Sequence, residues 1–144
     1  MPVKDQRSVF EGGCLCGKIR FRARGEPRQV NHCHCEMCRR ASGAPFVTWA
    51  TFATRDVEWI GAKPSVRRSS DIAARSFCPT CGSPLAWQAD KSPDLVDLTA
   101  GTFDDPSNLR PREHIWAENR IRWVHLADDL PRYKTDRKSP LLDD

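Results

Sequence analysis

The sequence contains no long apolar stretch. A helix that crosses a bilayer needs about 20 consecutive apolar residues, and charged and polar residues interrupt every apolar segment of this chain. The first ten residues, MPVKDQRSVF, also lack the apolar core of a secretory signal. We therefore expect no membrane partner and a cytoplasmic location.

Runs of like charge and internal repeats are also missing. The 23 basic and 19 acidic residues leave a formal net charge of +4 and are scattered along the chain. The lack of a basic stripe argues against a nucleic-acid partner, and the lack of a period of roughly 20–50 residues argues against a repeat array. A length of 144 residues fits one domain. The oligomeric state stays open, and a homo-oligomer is allowed.

Short strands dominate the predicted secondary structure, because eleven prolines and eight glycines favour turns over long helices. In GKIRFRARG, Ile19, Phe21 and Ala23 alternate with basic residues, which predicts a strand with one solvated face. Further short strands are predicted for APFVTWATF (Ala44 to Phe52), VEWIG, ARSF, PLAWQ and LVDLTAG. The expected fold class is mainly β, a single domain of short antiparallel strands.

Little helix is expected. EMCRRAS (Glu36 to Ser42) predicts a single helical turn, and DDLPRY (Asp128 to Tyr133) predicts a short helix before its proline. Residues 134–144 are predicted to form a mobile tail, which leaves residues 10–133 as the domain. The tryptophans are expected mainly in the core of a small β domain: Trp49, Trp59, Trp87, Trp116 and Trp123.

Seven cysteines fall into three groups. An odd number at tight spacing, in a chain without a visible export signal, favours metal ligands over disulfides. The groups are Cys14 and Cys16 in GGCLCG, Cys33, Cys35 and Cys38 in CHCEMC, and Cys78 and Cys81 in CPTCG.

The segment CPTCG has the pattern of a zinc knuckle. Both sulfurs of such a turn can reach one ion, and Gly82 tolerates the positive φ that the turn requires. The alternative is a redox pair, which usually opens a helix. Here a strand-like segment follows, so the knuckle is favoured.

The segment GGCLCG places two cysteines on one face of a strand. Two thiolates on a tetrahedral zinc lie only about 3.8 Å apart, so this strand must bend, and the flanking glycines allow it. The alternative is a pair of buried small side chains. Pairing Cys14 and Cys16 with Cys78 and Cys81 would complete a structural four-cysteine site, for which iron is a second candidate metal.

The segment CHCEMC offers three sulfurs to one ion. An extended backbone puts Cys33 and Cys35 on one face, and a helical turn adds Cys38. His32 and His34 then lie on the opposite face, so neither is well placed as a fourth ligand. Three protein ligands with an open position are typical of catalytic rather than structural zinc.

Two arginines directly follow the third cysteine of this segment. A thiolate-rich site is negatively charged, and Arg39 and Arg40 could help it to bind an anionic cofactor such as a thiolate. The alternative is a solvated turn, in which both side chains face water.

In order and spacing, GGCLCG, CHCEMCRRASGAPF and FCPTCGSPL resemble the glutathione-dependent formaldehyde-activating (GFA) family, whose domain also occurs in a centromere protein. The resemblance runs from about Phe10 to Tyr133 and includes GTFDDP and HIWAENRIRWVHLADDLPRY. It implies a β-tent-like fold with two zinc ions. The structural zinc would bind Cys14, Cys16, Cys78 and Cys81, and the second would bind Cys33, Cys35 and Cys38 with glutathione as the thiol.

The resemblance implies carbon–sulfur lyase chemistry, in which glutathione adds reversibly to formaldehyde. Small-molecule thiol and aldehyde partners follow from it. Candidate proton donors are His34, Glu36, Asp104 and Asp105. The alternatives are a non-catalytic zinc-stabilised module that binds protein or nucleic acid, and a metal or redox sensor that uses the three-cysteine site.

Overall fold

Two β-sheets contain most of the regular structure in this computed structural model, which describes residues 6–143. The strands are β1 (Val9–Gly13), β2 (Ile19–Arg24), β3 (Gln29–Cys33), β4 (Val47–Ala53), β5 (Val57–Gly61), β6 (Ser65–Arg68), β7 (Ala73–Phe77), β8 (Pro84–Ala89), β9 (Leu95–Thr99) and β10 (Glu113–Ile115). One α-helix, α1 (Glu36–Ser42), and four single-turn 3₁₀ helices join them in the described residues.

The smaller sheet has three antiparallel strands in the order β1-β2-β5. The predicted alternation along β2 is confirmed, because Ile19, Phe21 and Ala23 are buried while the basic residues between them are partly exposed. In β1, Gly12 forms a bridge with Phe103. A Cβ at Gly12 would lie 2.8 Å from the Cα of Phe103, so only glycine permits this approach.

The larger sheet has seven strands in the order β10-β3-β4-β9-β8-β7-β6. All its pairs are antiparallel except the pair of β10 with β3. The main core lies between the two sheets, where the rings of Phe21 and Phe103 meet edge to face with centroids 4.9 Å apart. Phe52 and Leu98 from the larger sheet are buried in the same cluster. The mainly β, antiparallel fold class is therefore confirmed.

The helical predictions have mixed outcomes. The helix predicted at EMCRRAS is present as α1 and is longer than one turn; it ends at Gly43, whose φ is 73°. The helix predicted at DDLPRY is wrong, because this segment is extended and pairs with β10. The amide of His114 donates to the carbonyl of Pro131, and the amide of Tyr133 donates to the carbonyl of His114. These long-range hydrogen bonds override the local preference.

The expected core position of the tryptophans is confirmed only in part. Trp49 is 5% exposed, whereas Trp123 is 65% exposed. Residues 134–143 lie against the domain, since Arg137 forms an ion pair with Glu113 and donates to the side chain of Gln29. The mobility of this segment and the domain limits stay predictions. Within residues 6–143, every helix is too short or too polar to cross a bilayer.

Candidate metal centres

The four cysteines expected to form one site do come together. The sulfurs of Cys14, Cys16, Cys78 and Cys81, here called the four-cysteine cluster, all lie within 4.8 Å of one another. The Cys14 and Cys16 sulfurs are 3.6 Å apart, and those of Cys16 and Cys78 are 3.8 Å apart. These distances match the spacing of about 3.8 Å between thiolates on a tetrahedral zinc. All four thiols are free, so the cluster could hold a metal ion.

Backbone amides point at the sulfurs on both sides of this cluster. The amide of Ile19 donates to Cys14 Sγ at 3.4 Å, and the amide of Cys81 donates to Cys78 Sγ at 3.4 Å. Hydrogen bonds of this kind stabilise a thiolate over a thiol. The two cysteine pairs therefore present the same local arrangement, although their sequence spacings differ.

Two glycines make the turns that bring these pairs together. The bend predicted for GGCLCG is the turn between β1 and β2, where Gly17 has a φ of 79°. Gly82 has a φ of 81° after Cys81, as the knuckle pattern predicts. Strand β8 begins at Pro84 directly afterwards. No helix starts at this pair in the described chain, which argues against the redox alternative.

The remaining three cysteines form a second group. The sulfurs of Cys33, Cys35 and Cys38, here called the three-cysteine cluster, also lie within 4.8 Å of one another. Cys33 is the last residue of β3, Cys35 caps α1, and Cys38 lies in its first turn. The amide of Cys38 donates to Cys35 Sγ at 3.2 Å. Sulfur donors of this kind favour a soft or borderline metal ion such as zinc.

Within residues 6–143, no further histidine, cysteine, aspartate or glutamate has a ligand atom within 4.8 Å of all three sulfurs of the three-cysteine cluster. The two neighbouring histidines belong to a separate group, as the strand alternation predicts. His32 Nδ1 lies 2.8 Å from Thr48 Oγ1, and the ring of His34 packs on Phe46 with centroids 4.9 Å apart. An external ligand could therefore complete this cluster.

A buried hydrogen-bonded chain passes behind the three-cysteine cluster. His34 Nε2 lies 2.9 Å from His114 Nδ1, and His114 Nε2 lies 2.9 Å from Asp128 Oδ2. Although burial opposes it, hydrogen bonds from His114 and the Leu130 amide lower the pKa of Asp128, so this group is an anionic acceptor. His114 therefore donates to the Asp128 carboxylate through Nε2, and the donor of the hydrogen bond between His34 and His114 depends on the tautomers of the two rings. Burial and the neighbouring His114 lower the pKa of His34 to about 4, so its ring is neutral.

Arg75 is a site residue that the sequence patterns do not reveal. Its Nη2 donates to Cys38 Sγ at 3.5 Å, and its guanidinium lies 5.9 Å from the ring centroid of Trp49. Hydrogen bonds from Cys33 and Cys35, together with the Arg75 guanidinium, lower the pKa of Cys38. Arg75 lies 37 positions from Cys38 in sequence, and only the sheet brings them together.

The two arginines predicted to assist the site lie on α1. Arg40 forms an ion pair with Glu36 at 2.9 Å on the exposed surface and lines the cavity described below. Arg39 lies in the last turn of the helix. A binding role for either residue stays a prediction, and the direct contact with a cluster sulfur is made by Arg75 instead.

A cavity of about 520 Å³ opens beside Cys38, and we call it the Cys38 cavity. Its volume is within the usual range for small-molecule sites, about 300–1,000 Å³. Trp49 and Val47 form part of its wall. Four arginines also line it: Arg40, Arg67, Arg68 and Arg75.

Two of the candidate proton donors lie elsewhere. Asp104 and Asp105 line a different cavity, of about 540 Å³, together with Glu11 and Glu26. Asp104 is paired with Arg20, and Asp105 accepts a hydrogen bond from the amide of Ser107. The structure thus separates these carboxylates from the Cys38 cavity.

Comparison with known proteins connects this arrangement to a family. Residues 9–119 match the family model described as glutathione-dependent formaldehyde-activating enzyme. A Halomonas elongata protein named as a candidate enzyme of that kind is 31% identical over 130 residues, covering 82% of this chain and 81% of the relative. An uncharacterized lyase of Schizosaccharomyces pombe is 33% identical over 129 residues, covering 88% and 92%.

The crystal structure of a Rhodobacter sphaeroides protein has a similar fold. Its TM-score is 0.53 at 23% identity, and the match covers 69% of this chain and 94% of that one. At this identity the similarity supports the fold alone.

Proposed function

The chain belongs to the glutathione-dependent formaldehyde-activating family, and on that premise we propose that it is a zinc-dependent carbon–sulfur lyase in which a thiol adds reversibly to formaldehyde or a related small aldehyde. The thiol we propose is glutathione. The observation that carries this proposal is the three-cysteine cluster, which has three sulfur donors and adjoins the Cys38 cavity.

We assign one zinc ion to each cluster, because both donor sets fit that metal. Four sulfurs complete a tetrahedral site, as expected for a structural ion, whereas three sulfurs leave one position for an exogenous ligand. Zinc in such an open thiolate site lowers the pKa of a thiol ligand and so supplies thiolate near neutral pH.

The surrounding residues would favour an anionic ligand at this position. Three thiolates and an external thiolate concentrate negative charge, and Arg75 places a cation 3.5 Å from one of the sulfurs. Burial of Cys33 and Cys38, with 4% and 5% of their surfaces exposed, weakens screening by water and strengthens this compensation. Trp49 would restrict the aldehyde to the space next to the thiol.

The reaction breaks the S–H bond of the thiol and forms a C–S bond to the carbonyl carbon. The carbonyl oxygen gains a proton and becomes a hydroxyl, so atoms and charge balance, and the reverse reaction releases the aldehyde. Holding both reactants side by side would supply most of the acceleration, because thiolates and formaldehyde are intrinsically reactive.

The positions of the four candidate proton donors exclude most of them as the source of the hydroxyl proton. Asp104 and Asp105 line the other cavity, and His34 is fully buried behind the cluster. Glu36 is exposed and lies two residues before Cys38 on α1. Glu36 is paired with Arg40 and does not line the Cys38 cavity, so we propose that water in this cavity is the proton donor. Free cysteines and thiolate-bound metal ions are typical of a reducing compartment. On that ground we propose a cytoplasmic location for the protein.

Metal analysis followed by thiol titration tests this proposal. The purified protein should contain two zinc ions per chain, and glutathione should raise the sulfur coordination of one ion from three to four in X-ray absorption spectra. Magnetisation-exchange NMR should then show faster exchange between formaldehyde and S-hydroxymethylglutathione when the protein is present. A single zinc ion per chain, with Cys33, Cys35 and Cys38 freely alkylated, would rule out the two-site scheme.

A further inference from the structure

We propose that the Cys38 cavity selects thiols that carry a carboxylate, and that Arg67 and Arg75 are the specificity-determining residues. This inference rests on the proposed function, because it concerns the thiol that would complete the three-cysteine cluster. It adds a discrimination by charge that the family assignment does not specify.

The sheet register places these two arginines directly opposite each other. Strands β6 and β7 are antiparallel, and Arg67 pairs with Arg75. Residues directly opposite in an antiparallel pair have side chains on the same face, and like charges there destabilise the sheet. Both arginines also line the Cys38 cavity. A bound anion would relieve this repulsion.

The other two cationic groups of the cavity already have carboxylate partners. Arg68 donates to both carboxylate oxygens of Asp90, at 2.7 Å each, and Arg40 is paired with Glu36. These pairs offset the charges of Arg40 and Arg68, which leaves Arg67 and Arg75 as the cations available to a ligand.

Arg67 and Arg75 have no carboxylate partner within residues 6–143. The contacts of Arg75 are the Cys38 sulfur and the ring of Trp49. The described residues that line the cavity include neither aspartate nor glutamate. The cavity is therefore electropositive at the end where the two strands pair.

A carboxylate fits this arrangement better than a neutral group. The guanidinium is a planar fork that binds carboxylates through two parallel hydrogen bonds. Arg75 uses one nitrogen on Cys38, so its other donors remain for a ligand that bridges to Arg67. A single molecule could therefore place its thiol at the three-cysteine cluster and its carboxylate between Arg67 and Arg75.

The test compares small thiols that differ mainly in charge. Cobalt-loaded protein would be titrated with glutathione, 3-mercaptopropionate, 2-mercaptoethanol and cysteamine, following the sulfur-to-cobalt absorption. For each thiol, we take the ratio of the affinity of the Arg67→Met variant to the affinity of the unsubstituted protein. This ratio cancels the differences in intrinsic pKa between the thiols. Arg67 is the residue to change, because Arg75 also contacts Cys38 and its loss would alter the metal centre directly.

The expected result depends on the charge of the thiol. Loss of a charge-assisted hydrogen bond should weaken binding of glutathione and 3-mercaptopropionate about ten-fold or more. Binding of 2-mercaptoethanol should be unchanged, and cysteamine should bind as well or better. Arg55→Met is the matched control, because it removes the same charge from an exposed residue outside the cavity and should leave all four ratios near one.

The possible failures are distinguishable. Equal ratios for anionic, neutral and cationic thiols would overturn the charge selection and leave the proposed function intact. Failure of every thiol to change the cobalt spectrum of the unsubstituted protein would overturn the proposed function, and the inference with it.

Discussion

His34 Nε2 lies 2.9 Å from His114 Nδ1, although 80 positions separate the two residues in sequence. His34 stands between two residues of the three-cysteine cluster, and His114 belongs to β10, which pairs with β3. The hydrogen bond therefore connects the segment that carries the three cysteines to strand β10. The carboxylate of Asp128, which accepts from His114, anchors this connection.

We predict that Asp128→Asn weakens metal binding at the three-cysteine cluster by roughly ten-fold, the lower end of the effect usual for residues that orient metal ligands. Asparagine keeps the acceptor for the Leu130 amide but loses the charge that holds His114. Metal release to a chromophoric chelator would measure both clusters separately. Asp129→Asn, at the exposed neighbouring position, should have no effect, and equal weakening of both clusters by Asp128→Asn would contradict the assignment.

Substitutions in the two clusters should have different consequences. Cys78 is 1% exposed and packs with Ile19 and Leu85, so Cys78→Ser should remove a structural ligand and leave the protein insoluble or unfolded. Cys38→Ser should leave most of the fold intact and abolish thiol binding. Circular dichroism, metal content and glutathione titration would compare them. Similar behaviour of both variants would show that the clusters do not divide structural and functional roles.

Stability should depend on the ionisation of Asp97. Burial raises the pKa of this carboxyl from 3.8 to about 6, against the hydrogen bond that it accepts from Thr51. A raised pKa means that the folded state holds the proton more tightly than the unfolded state. Its stabilising contribution is therefore present below about pH 4 and is lost as the pH rises through 6.

Asp97→Asn should consequently raise the free energy of unfolding at pH 7.5, by up to about 3 kcal/mol at 1.36 kcal/mol per pKa unit. The gain should shrink by about half at pH 5, where the folded wild-type carboxyl is mostly protonated. Urea unfolding of both proteins between pH 5 and 8 would measure this difference. Asp94→Asn, at an exposed position three residues earlier, serves as the control. A gain that is independent of pH would contradict the explanation.

A methyl group at Gly12 should be costly. A Cβ there would lie 2.4 Å from the Thr102 carbonyl oxygen and 2.5 Å from the Phe21 ring. Gly12→Ala should therefore lower the free energy of unfolding by about 1–3 kcal/mol, as overpacked cores do. Gly101→Ala meets no atom within 4 Å and should change stability by less than about 1 kcal/mol. Chemical denaturation of the two variants would distinguish packing from a general effect of alanine.

Much of the local structure could be predicted from the sequence, because it depends on covalent geometry. The two-residue period places Ile19, Phe21 and Ala23 on one face, and the spacing within each cysteine group brings its sulfurs together. The positive φ of Gly82 and the separation of His34 from the three cysteines follow from the same local rules. The pairing of the four-cysteine cluster is expected because each of its two groups offers only two sulfurs, and the resemblance to a known family implies the same pairing.

Tertiary structure alone decided which distant side chains meet at the site. Strand pairing sets Arg67 opposite Arg75 and brings Arg75 to Cys38, and no local period connects these positions. The same kind of pairing extends DDLPRY along β10 where its local pattern favours a helix, and it places His114 against His34. Spacing along the chain thus determined the sulfur ligands within each cysteine group, because these residues are neighbours in sequence. Sheet register determined the charges and hydrogen bonds around them, because it joins residues that the sequence keeps apart.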